Sequence, residues 1–316
     1  MKQLLLIDAN SIIHRSFHAL PPFTGPSGEP TGALYGIASI LLKLWREEKP
    51  AYAAALFDRP EPTFRKKEYP EYKAQRPLAS DDLVAQIIEA HHLFEAFGIK
   101  TFEKPGFEAD DLIATFAERF KNAEDTQVVI LTGDRDTLQL IEDDKIVVRT
   151  FNKGVSDTTI YDEKAVIEKY GFPPAVMVDY KALVGDASDN IKGVSGVGPK
   201  TATELIKKFG SIEKIWKAVP NDPKLAARLG GRRDEAEFSK RLVTLERNVP
   251  LEIGEISDVA TQDTSDEIEA YFQAKGFATL LKRIGKESPA GPRGTQTSSK
   301  KGKGTVGPES QQEAMF

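Results

Sequence analysis

The sequence predicts an α/β protein in which a mostly parallel sheet is covered by helices and followed by a second, helical region. Two observations support this prediction. Up to about residue 162, short apolar runs typical of buried strands alternate with longer segments of helical periodicity, as in parallel sheets with crossover helices. After residue 162 the strand-like runs disappear and short helices take over. With 316 residues, of which 40% are hydrophobic, the chain is long enough for a sizeable core and two domains.

The individual elements follow from apolar periodicity and from helix-breaking residues. Residues 32–48 have the pattern of a helix, and Pro50 ends it because proline lacks the backbone N–H that a continuing helix needs. Further helices are expected at 83–97 and 109–120. Strands are expected at 3–7, 51–57, 99–102 and 127–131, with edge strands at 145–150 and 157–161.

Acidic residues recur at the ends of these strands and in two further segments. Asp8 and Asp58 each follow an apolar run, as do Asp134 and Asp136 after the run at 128–131, and ligand crevices of open α/β sheets form at the carboxyl ends of the strands. Three acids open the helix at 109–120, and two stand in residues 185–190. One such Asp alone is more often a turn residue or a helix cap, but nine in this arrangement favour a metal site. The nine predicted ligands are Asp8, Asp58, Glu108, Asp110, Asp111, Asp134, Asp136, Asp186 and Asp189.

Carboxylates brought this close together repel one another. A like-charge pair about 4 Å apart costs on the order of 4 kcal/mol at an effective dielectric constant near 20. Such a cluster takes up protons or binds cations, and all-oxygen ligands select hard ions such as Mg²⁺ or Mn²⁺. Two such ions roughly 4 Å apart are a common device for hydrolysing phosphodiesters.

The basic segment (residues 59–82) differs in character from its surroundings. Residues 59–76 contain six Lys or Arg and three Glu, and several prolines exclude one long helix. Phe64, Tyr69 and Tyr72 are interleaved with the basic residues, which suits phosphate contacts combined with base stacking. A solvated loop is the alternative interpretation of this composition.

The glycine-rich hairpin (residues 193–198) opens a predicted helix. It is not a nucleotide-binding phosphate loop, because Pro199 stands where that motif requires Lys and no strand precedes it. A hairpin between two helices instead points backbone N–H groups towards a phosphate, although glycines also form simple tight turns. The predicted DNA contacts here are Gly193, Gly196, Gly198, Lys200 and Thr201. Basic residues in 223–247 either extend this DNA track or form an exposed helical face.

Composition excludes several other functions. The absence of cysteine excludes disulfides, thiolate metal sites and a Cys nucleophile, and it fits a reducing cytoplasm. No apolar run approaches the ~20 residues of a membrane span, and Met1 leads into a strand without a signal peptide. The four histidines form no zinc pattern. The net charge of −5 argues only weakly against a nucleic-acid partner, because nucleic-acid binding depends on where the basic residues lie on the surface and not on the total charge.

Together these stretches resemble the 5′ nuclease domain of bacterial DNA polymerase I, within the flap endonuclease superfamily, over about residues 3–285. The matching motifs are the run ending in Ile7-Asp8, Phe57-Asp58, Tyr72-Lys73-Ala74-Gln75-Arg76-Pro77, Glu108-Ala109-Asp110-Asp111, Leu131-Thr132-Gly133-Asp134-Arg135-Asp136, Gly185-Asp186-Ala187-Ser188-Asp189-Asn190 and the hairpin at 193–198.

The resemblance implies a PIN-like flap endonuclease fold with a helical helix-hairpin-helix subdomain. Residues 1–162 would be the catalytic domain, with the basic segment as its helical arch. Residues 163–285 would be the DNA-binding region, with the helix-hairpin-helix at 185–209. Loop 21–31 would contact the upstream duplex, and residues 286–316 would be a disordered tail.

The resemblance also implies roles for individual residues. Lys73 and Arg76 would be catalytic, polarising the scissile phosphate, and Tyr72 would stack on a base. The hairpin carbonyls would hold K⁺. The catalytic ion pair would be bound by Asp8, Asp58, Glu108, Asp110 and Asp111. The second acidic cluster would be Asp134, Asp136, Asp186 and Asp189.

The implied function is a structure-specific, metal-dependent 5′-3′ exonuclease and 5′ flap endonuclease that removes RNA primers and flaps in DNA replication and repair. It would use two or more Mg²⁺ ions, with Mn²⁺ as a substitute. Its partners would be DNA with a 5′ flap or 5′ end and RNA–DNA primer junctions. We expect a monomer in the bacterial cytoplasm, associated with the nucleoid and not with a membrane.

Two questions stay open at the level of sequence. The chain lacks the proofreading and polymerase domains of the best-known bacterial members, so it is either free-standing or an excerpt. The stretch from Gln312 to Phe316 resembles a peptide that binds sliding clamps, which favours the free-standing form. The alternatives to the nuclease are a PIN-like single-strand ribonuclease and a non-catalytic DNA-binding scaffold.

Overall fold

A six-stranded sheet in the order β3-β2-β1-β4-β5-β6 organises the computed structural model, which describes residues 1–152, 154 and 157–285. The strands β1 to β5 are parallel, and β6 runs antiparallel to β5. The strands are β1 (Lys2–Asp8), β2 (Tyr52–Leu56), β3 (Lys100–Phe102), β4 (Thr126–Thr132), β5 (Ile146–Phe151) and β6 (Thr158–Tyr161).

Both faces of the sheet are buried, which explains the continuous apolar run of β1. Successive side chains of a strand point to opposite faces, so Leu4 and Leu6 join one core cluster while Leu5 and Ile7 join the other. The expectation that residues 145–150 form an edge strand is wrong. β5 lies between β4 and β6 because the short antiparallel β6 folds back along it, and the edges are β3 and β6.

Helices from both halves of the chain cover the sheet. On the face of Leu5 and Ile7 lie the apolar side chains of α1, α2 and α4, and the last two helices of the chain pack there as well. The first five helices are α1 (Ala9–Ala19), α2 (Gly32–Glu47), α3 (Phe64–Glu68), α4 (Asp81–Ala96) and α5 (Ala109–Phe120). α3 is short and lies wholly within the basic segment, as the prolines there predict, and α4 begins at the end of that segment.

The helical region that follows β6 contributes to the core cluster on the opposite face, which also contains the apolar side chains of α5 and of residues 138–141. Its two terminal helices return to the first region, so the two regions share a core instead of forming separate lobes. The helices are α6 (Glu163–Tyr170), α7 (Met177–Val184), α8 (Pro199–Phe209), α9 (Ile212–Ala218), α10 (Pro223–Leu229), α11 (Arg233–Val243), α12 (Ser265–Ala274) and α13 (Ala278–Arg283).

Within the described ranges, no helix combines the length and the apolar character that crossing a bilayer requires. The predicted tail at 286–316 lies outside the described residues, and with it the peptide from Gln312 to Phe316.

Candidate active site

Three of the predicted ligands stand side by side at the carboxyl edge of the sheet. β1 lies between β2 and β4, so Asp8 at the end of β1 is flanked by Asp58 and Asp134, which follow the two neighbouring strands. Thr132 joins two of them, because its hydroxyl donates to Asp8 Oδ2 at 2.6 Å and accepts the Asp134 N–H at 2.9 Å. Sheet topology therefore brings together acids that are distant in sequence.

The amino end of α5 completes this edge. Asp58 Oδ1 accepts the Ala109 N–H at 2.8 Å, which ties the end of β2 to the first turn of the helix. Asp110 lies in that turn, where the helix dipole favours negative charge. The resulting cavity of about 350 Å³ is lined by five of the predicted ligands, with His14, Lys73 and Arg76 at its wall. The five are Asp8, Asp58, Glu108, Asp110 and Asp134.

The electrostatics of this cavity favour protonation or cation binding. Burial, with the nearby charges of Asp58 and Asp134, raises the pKa of Asp8 to about 7. Burial and the charges of Asp8 and Asp134 raise the pKa of Asp110 well above its ordinary value. Asp110 Oδ1 is also buried without a hydrogen-bond partner in the described part of the chain. An unpaired buried carboxylate oxygen is costly, and a hard cation would satisfy it.

The second predicted cluster is divided in the structure. Asp134 lines the same cavity as Asp8. Asp136 and Asp186 instead share the ammonium group of Lys181, which lies 2.7 Å from Asp186 Oδ2 and also binds Asp136 Oδ1. Burial and the charge of Asp134 still raise the pKa of Asp136 to about 7, whereas Lys181 lowers the pKa of Asp186 against the effect of burial.

Asp189 binds residues of the basic segment. Its Oδ1 accepts from Arg76 at 2.7 Å and its Oδ2 accepts from the Tyr72 hydroxyl at 2.9 Å. The same hydroxyl lies 2.8 Å from Glu108 Oε2, and the Tyr72 side chain is only 3% exposed. In this structure the Tyr72 ring is therefore not available to stack on a base, because it is buried in a cluster with Ile191, Leu242 and Val243 while its hydroxyl is held by the two acids.

Asp111 does not join the acidic cavity, so the geometry of this site gives no support to its prediction as a metal ligand. Its carboxylate is fully buried and forms a two-pronged pair with Arg65 at 2.7 and 2.8 Å. Its oxygens also accept the N–H groups of Glu108 and Glu246, at 3.1 and 2.9 Å. Asp111 thus faces the helical region and attaches α5 to it through Arg65 and the backbone of Glu246, whereas its neighbour Asp110 faces the cavity.

Among the residues that the structure describes, no three Asp, Glu or His side chains stand ready to hold a metal ion. Several of the predicted ligands have a lysine or arginine as their partner. Lys73 binds Glu108, Arg76 binds Asp189 and Lys181 binds two further acids. The donor set and the unpaired Asp110 oxygen nevertheless fit a hard divalent cation, provided that these ammonium and guanidinium groups move aside.

The hairpin lies apart from this cavity, between α7 and α8. Val194 and Val197 are buried and anchor it, while Gly196, Gly198 and Lys200 are exposed and Thr201 is half-buried. Gly193 is glycine for a packing reason. It has φ +66°, and a Cβ there would meet the backbone of Val184 and Gly185 at 2.4 Å or less.

The basic residues at 223–247 are largely bound to the protein itself, which favours the exposed-face interpretation over a DNA track. Lys240 binds Asp179 and Glu213, both at 2.7 Å. Arg241 and Arg247 pair with Glu68 and Glu118.

Sequence reasoning missed two residues that organise the site, Arg65 and Lys181. Arg65 was one of six basic residues in its segment, and no local feature marked it as buried. Lys181 lies in the last turn of α7, and Asp186 follows directly after the residue that caps this helix. That spacing is a weak signal that the ammonium group could reach the acid.

Comparison with known proteins agrees with this architecture. The model of the 5′-3′ exonuclease N-terminal, resolvase-like domain matches residues 3–171, and that of the 5′-3′ exonuclease C-terminal SAM fold matches residues 172–267. The flap endonuclease of bacteriophage T5, solved with DNA and metal ions, has the same fold with a TM-score of 0.62 at 21% identity. That alignment covers 90% of this chain and 99% of the T5 chain. Fold and site thus define a nuclease.

Two relatives with higher sequence identity indicate which kind of nuclease the chain resembles. A 5′-3′ exonuclease of Aquifex aeolicus is 37% identical over 286 residues, covering 90% of this chain and 96% of the relative. DNA polymerase I of Bacillus subtilis is 39% identical over 292 residues, covering 91% of this chain. The chain spans 33% of the length of that polymerase. The chain belongs to the 5′-3′ exonuclease family.

Proposed function

We propose that this chain hydrolyses phosphodiesters at the 5′ ends and 5′ flaps of branched DNA, and that it depends on divalent cations, with Mg²⁺ as the natural ion and Mn²⁺ as a substitute. The observation that carries the proposal is the cavity at the carboxyl edge of the sheet. Five acids line it, one buried oxygen of Asp110 has no partner, and the pKa of Asp8 is raised to about 7.

The acids of the cavity would hold the ions, chiefly Asp8, Asp110 and Asp134. When bound there, the ions would supply Lewis-acid charge and an activated water for phosphodiester hydrolysis. Lys73 and Arg76 would exchange their present partners, Glu108 and Asp189, for the phosphate of the substrate. Both cations lie at the cavity wall, where they could bind the scissile phosphate.

Duplex DNA would be held at the hairpin. The exposed backbone at Gly196 and Gly198 and the first turn of α8 could approach a phosphate, and Lys200 adds positive charge. We propose K⁺ on the hairpin carbonyls as a further contact. Because such contacts are made to phosphates, DNA affinity should fall steeply with salt, and Lys200→Ala should reduce the slope of log K against log[salt] by about 1.

The decisive experiment compares a nicked duplex carrying a 5′ flap with single-stranded RNA, each with Mg²⁺, with Mn²⁺ and with a chelator. We expect ion-dependent cleavage near the flap junction and no cleavage of the RNA. Cleavage of the RNA alone would favour the single-strand ribonuclease. Binding of the flapped duplex without cleavage in either ion would favour the DNA-binding scaffold. Replacing the flap by RNA on the same duplex tests whether primer junctions are substrates.

We also propose that the stretch from Gln312 to Phe316 binds a bacterial sliding clamp and that the protein is a monomer. The support is the Gln-x-x-Met-Phe pattern after a Gly-, Ser- and Lys-rich stretch. Deleting Met315 and Phe316 should abolish clamp retention while flap cleavage without the clamp is unchanged. Equal retention of both forms would refute the clamp proposal. Light scattering tests the monomer.

A further inference from the structure

Helix α11 touches the hairpin at its amino end. Glu235, in the first turn of α11, accepts the Ser195 N–H through Oε2 at 2.8 Å. Arg232, directly before the helix, donates to the Ser195 carbonyl. The exposed turn of the hairpin is thus attached to α11 through both backbone groups of one residue.

The carboxyl end of α11 is attached to the active-site region by Arg65. The Arg65 guanidinium donates to the Leu242 carbonyl at 2.8 Å and to the Thr244 carbonyl at 2.8 Å, which are carbonyls at the end of the helix. Its remaining N–H groups donate to Asp111 and Glu108. All five donors of the guanidinium are therefore used, and the side chain is 1% exposed.

Glu108 connects Arg65 to the residues that line the cavity. Glu108, which accepts from Arg65 at 3.0 Å, also binds Lys73 Nζ at 2.7 Å and the Tyr72 hydroxyl at 2.8 Å. A change in the position of Arg65 therefore acts on one predicted metal ligand and one predicted phosphate contact. Arg65 lies behind these groups and does not line the cavity itself.

We propose that α11 is a rigid link through which duplex DNA bound at the hairpin positions Arg65, and with it Glu108 and Lys73, for cleavage. The inference rests on the proposed function. Eleven helical residues span about 16 Å, so a displacement of the hairpin is transmitted to the far end without an intervening flexible joint. Arg65 is a positioning residue in this scheme. A Lys at position 65 offers three donors without a planar fork and cannot serve both carbonyls and both acids.

A double-mutant cycle tests the link. Arg65→Lys weakens the contact between the carboxyl end of α11 and the active-site region. Glu235→Ala, at an exposed position, weakens the contact between the amino end of α11 and the hairpin. Single-turnover cleavage is measured on a flapped substrate whose duplex reaches the hairpin and on one whose duplex is shortened to a few base pairs. The rate constant on the long-duplex substrate is divided by the rate constant on the short-duplex substrate. This ratio reports how much the duplex accelerates cleavage.

We expect each single variant to lower this ratio about 10-fold and the double variant to lower it no further, because the two changes break one path. The proposal would be overturned if the decrease of the ratio in the double variant equals the product of the two single decreases. It would also be overturned if the ratio is unchanged in Glu235→Ala. A merely structural role of Arg65 would lower the thermal midpoint while leaving the ratio unchanged, and this outcome would also overturn it. If Arg65→Lys does not fold, the ratio for Glu235→Ala remains decisive.

The matched control is Glu68→Gln. It removes the ion pair of Glu68 with Arg241, at 3.1 Å, which joins the same helices α3 and α11 on the solvent-exposed side. We expect the ratio to stay within about twofold of wild type, as for exposed ion pairs in general. If the wild-type chain cleaves neither substrate, the proposed function fails, and this is distinct from a failure of the link.

Discussion

Lys73 Nζ lies 2.7 Å from Glu108 Oε1, so a predicted phosphate contact is bound to a predicted metal ligand. The backbone of Lys73 is attached as well, since its N–H donates to the Asp189 carbonyl at 3.0 Å from a left-handed conformation with φ +53°. The protein thus supplies counter-ions to its own acids.

Replacing Lys73 by Ala should change metal binding and cleavage in opposite directions. Without the ammonium group, Glu108 is free to bind a cation, so the affinity for Mn²⁺ measured by calorimetry should rise several-fold. Single-turnover cleavage of a flapped duplex should fall about 100-fold, because a phosphate contact is lost. Lys66→Ala is the control, since within the described residues Lys66 Nζ donates to the backbone carbonyls of Pro70 and Tyr72 and to no acid. Weaker Mn²⁺ binding by the Lys73 variant would contradict this account.

The stability of the metal-free protein should decrease as the pH rises from about 4 to about 7. The folded protein retains protons on Asp8 and Asp136 up to about pH 7, whereas the unfolded chain releases them near the ordinary value of 3.8. The folded state thus binds more protons in this window, and the free energy of unfolding falls with rising pH. Glu108 and Asp186 have lowered pKa values, so their stabilising contribution is lost only on acidification below that window.

Thermal unfolding in a chelator between pH 4 and pH 8 measures this effect. The difference between wild type and Asp8→Asn isolates the contribution of Asp8, because the amide does not titrate. A difference that does not vary with pH would show that Asp8 is ionised throughout. Adding Mg²⁺ at pH 8 should restore stability to the wild-type protein.

Asp110→Asn should separate stability from activity. Burial and three neighbouring acids make the Asp110 carboxylate unfavourable without a cation, so the neutral amide should stabilise the chelated protein at pH 8. Cleavage should fall at least about 100-fold, because a ligand is lost. Urea unfolding and single-turnover kinetics provide the two values. Destabilisation in chelator would mean that Asp110 already has a compensating partner.

Lys181→Ala should destabilise the metal-free protein and increase its response to Mg²⁺. Its ammonium group, 14% exposed, neutralises Asp136 and Asp186, and removing one member of a buried ion pair costs about 3 kcal/mol. A divalent ion could take over this role, so Mg²⁺ should raise the thermal midpoint more in the variant than in wild type. Lys145→Ala, which breaks an exposed pair with Glu142, should cost below about 1 kcal/mol. An equal response to Mg²⁺ in Lys181→Ala and wild type would indicate that no ion binds beside Asp136.

The sequence by itself determined the parallel sheet, the acids at its strand ends and the hairpin, because these depend on local periodicity and on short motifs. An apolar run such as residues 3–7 specifies a buried strand, and Asp8 directly behind it must lie at the edge of the sheet. The interior position of β5 was not predictable, because it depends on a pairing with β6 that periodicity does not encode.

Only the tertiary structure decided which charges meet. Asp110 and Asp111 are adjacent in sequence, yet one faces the acidic cavity and the other faces Arg65, because successive helical residues point about 100° apart. Arg65 joins residues 46 and 177 positions away along the chain, and no local spacing signals such contacts. The same holds for Lys73 with Glu108, since the sequence marks each as a site residue but does not indicate that the two bind each other across 35 positions. Their shared burial arises from packing of the basic segment over the sheet edge.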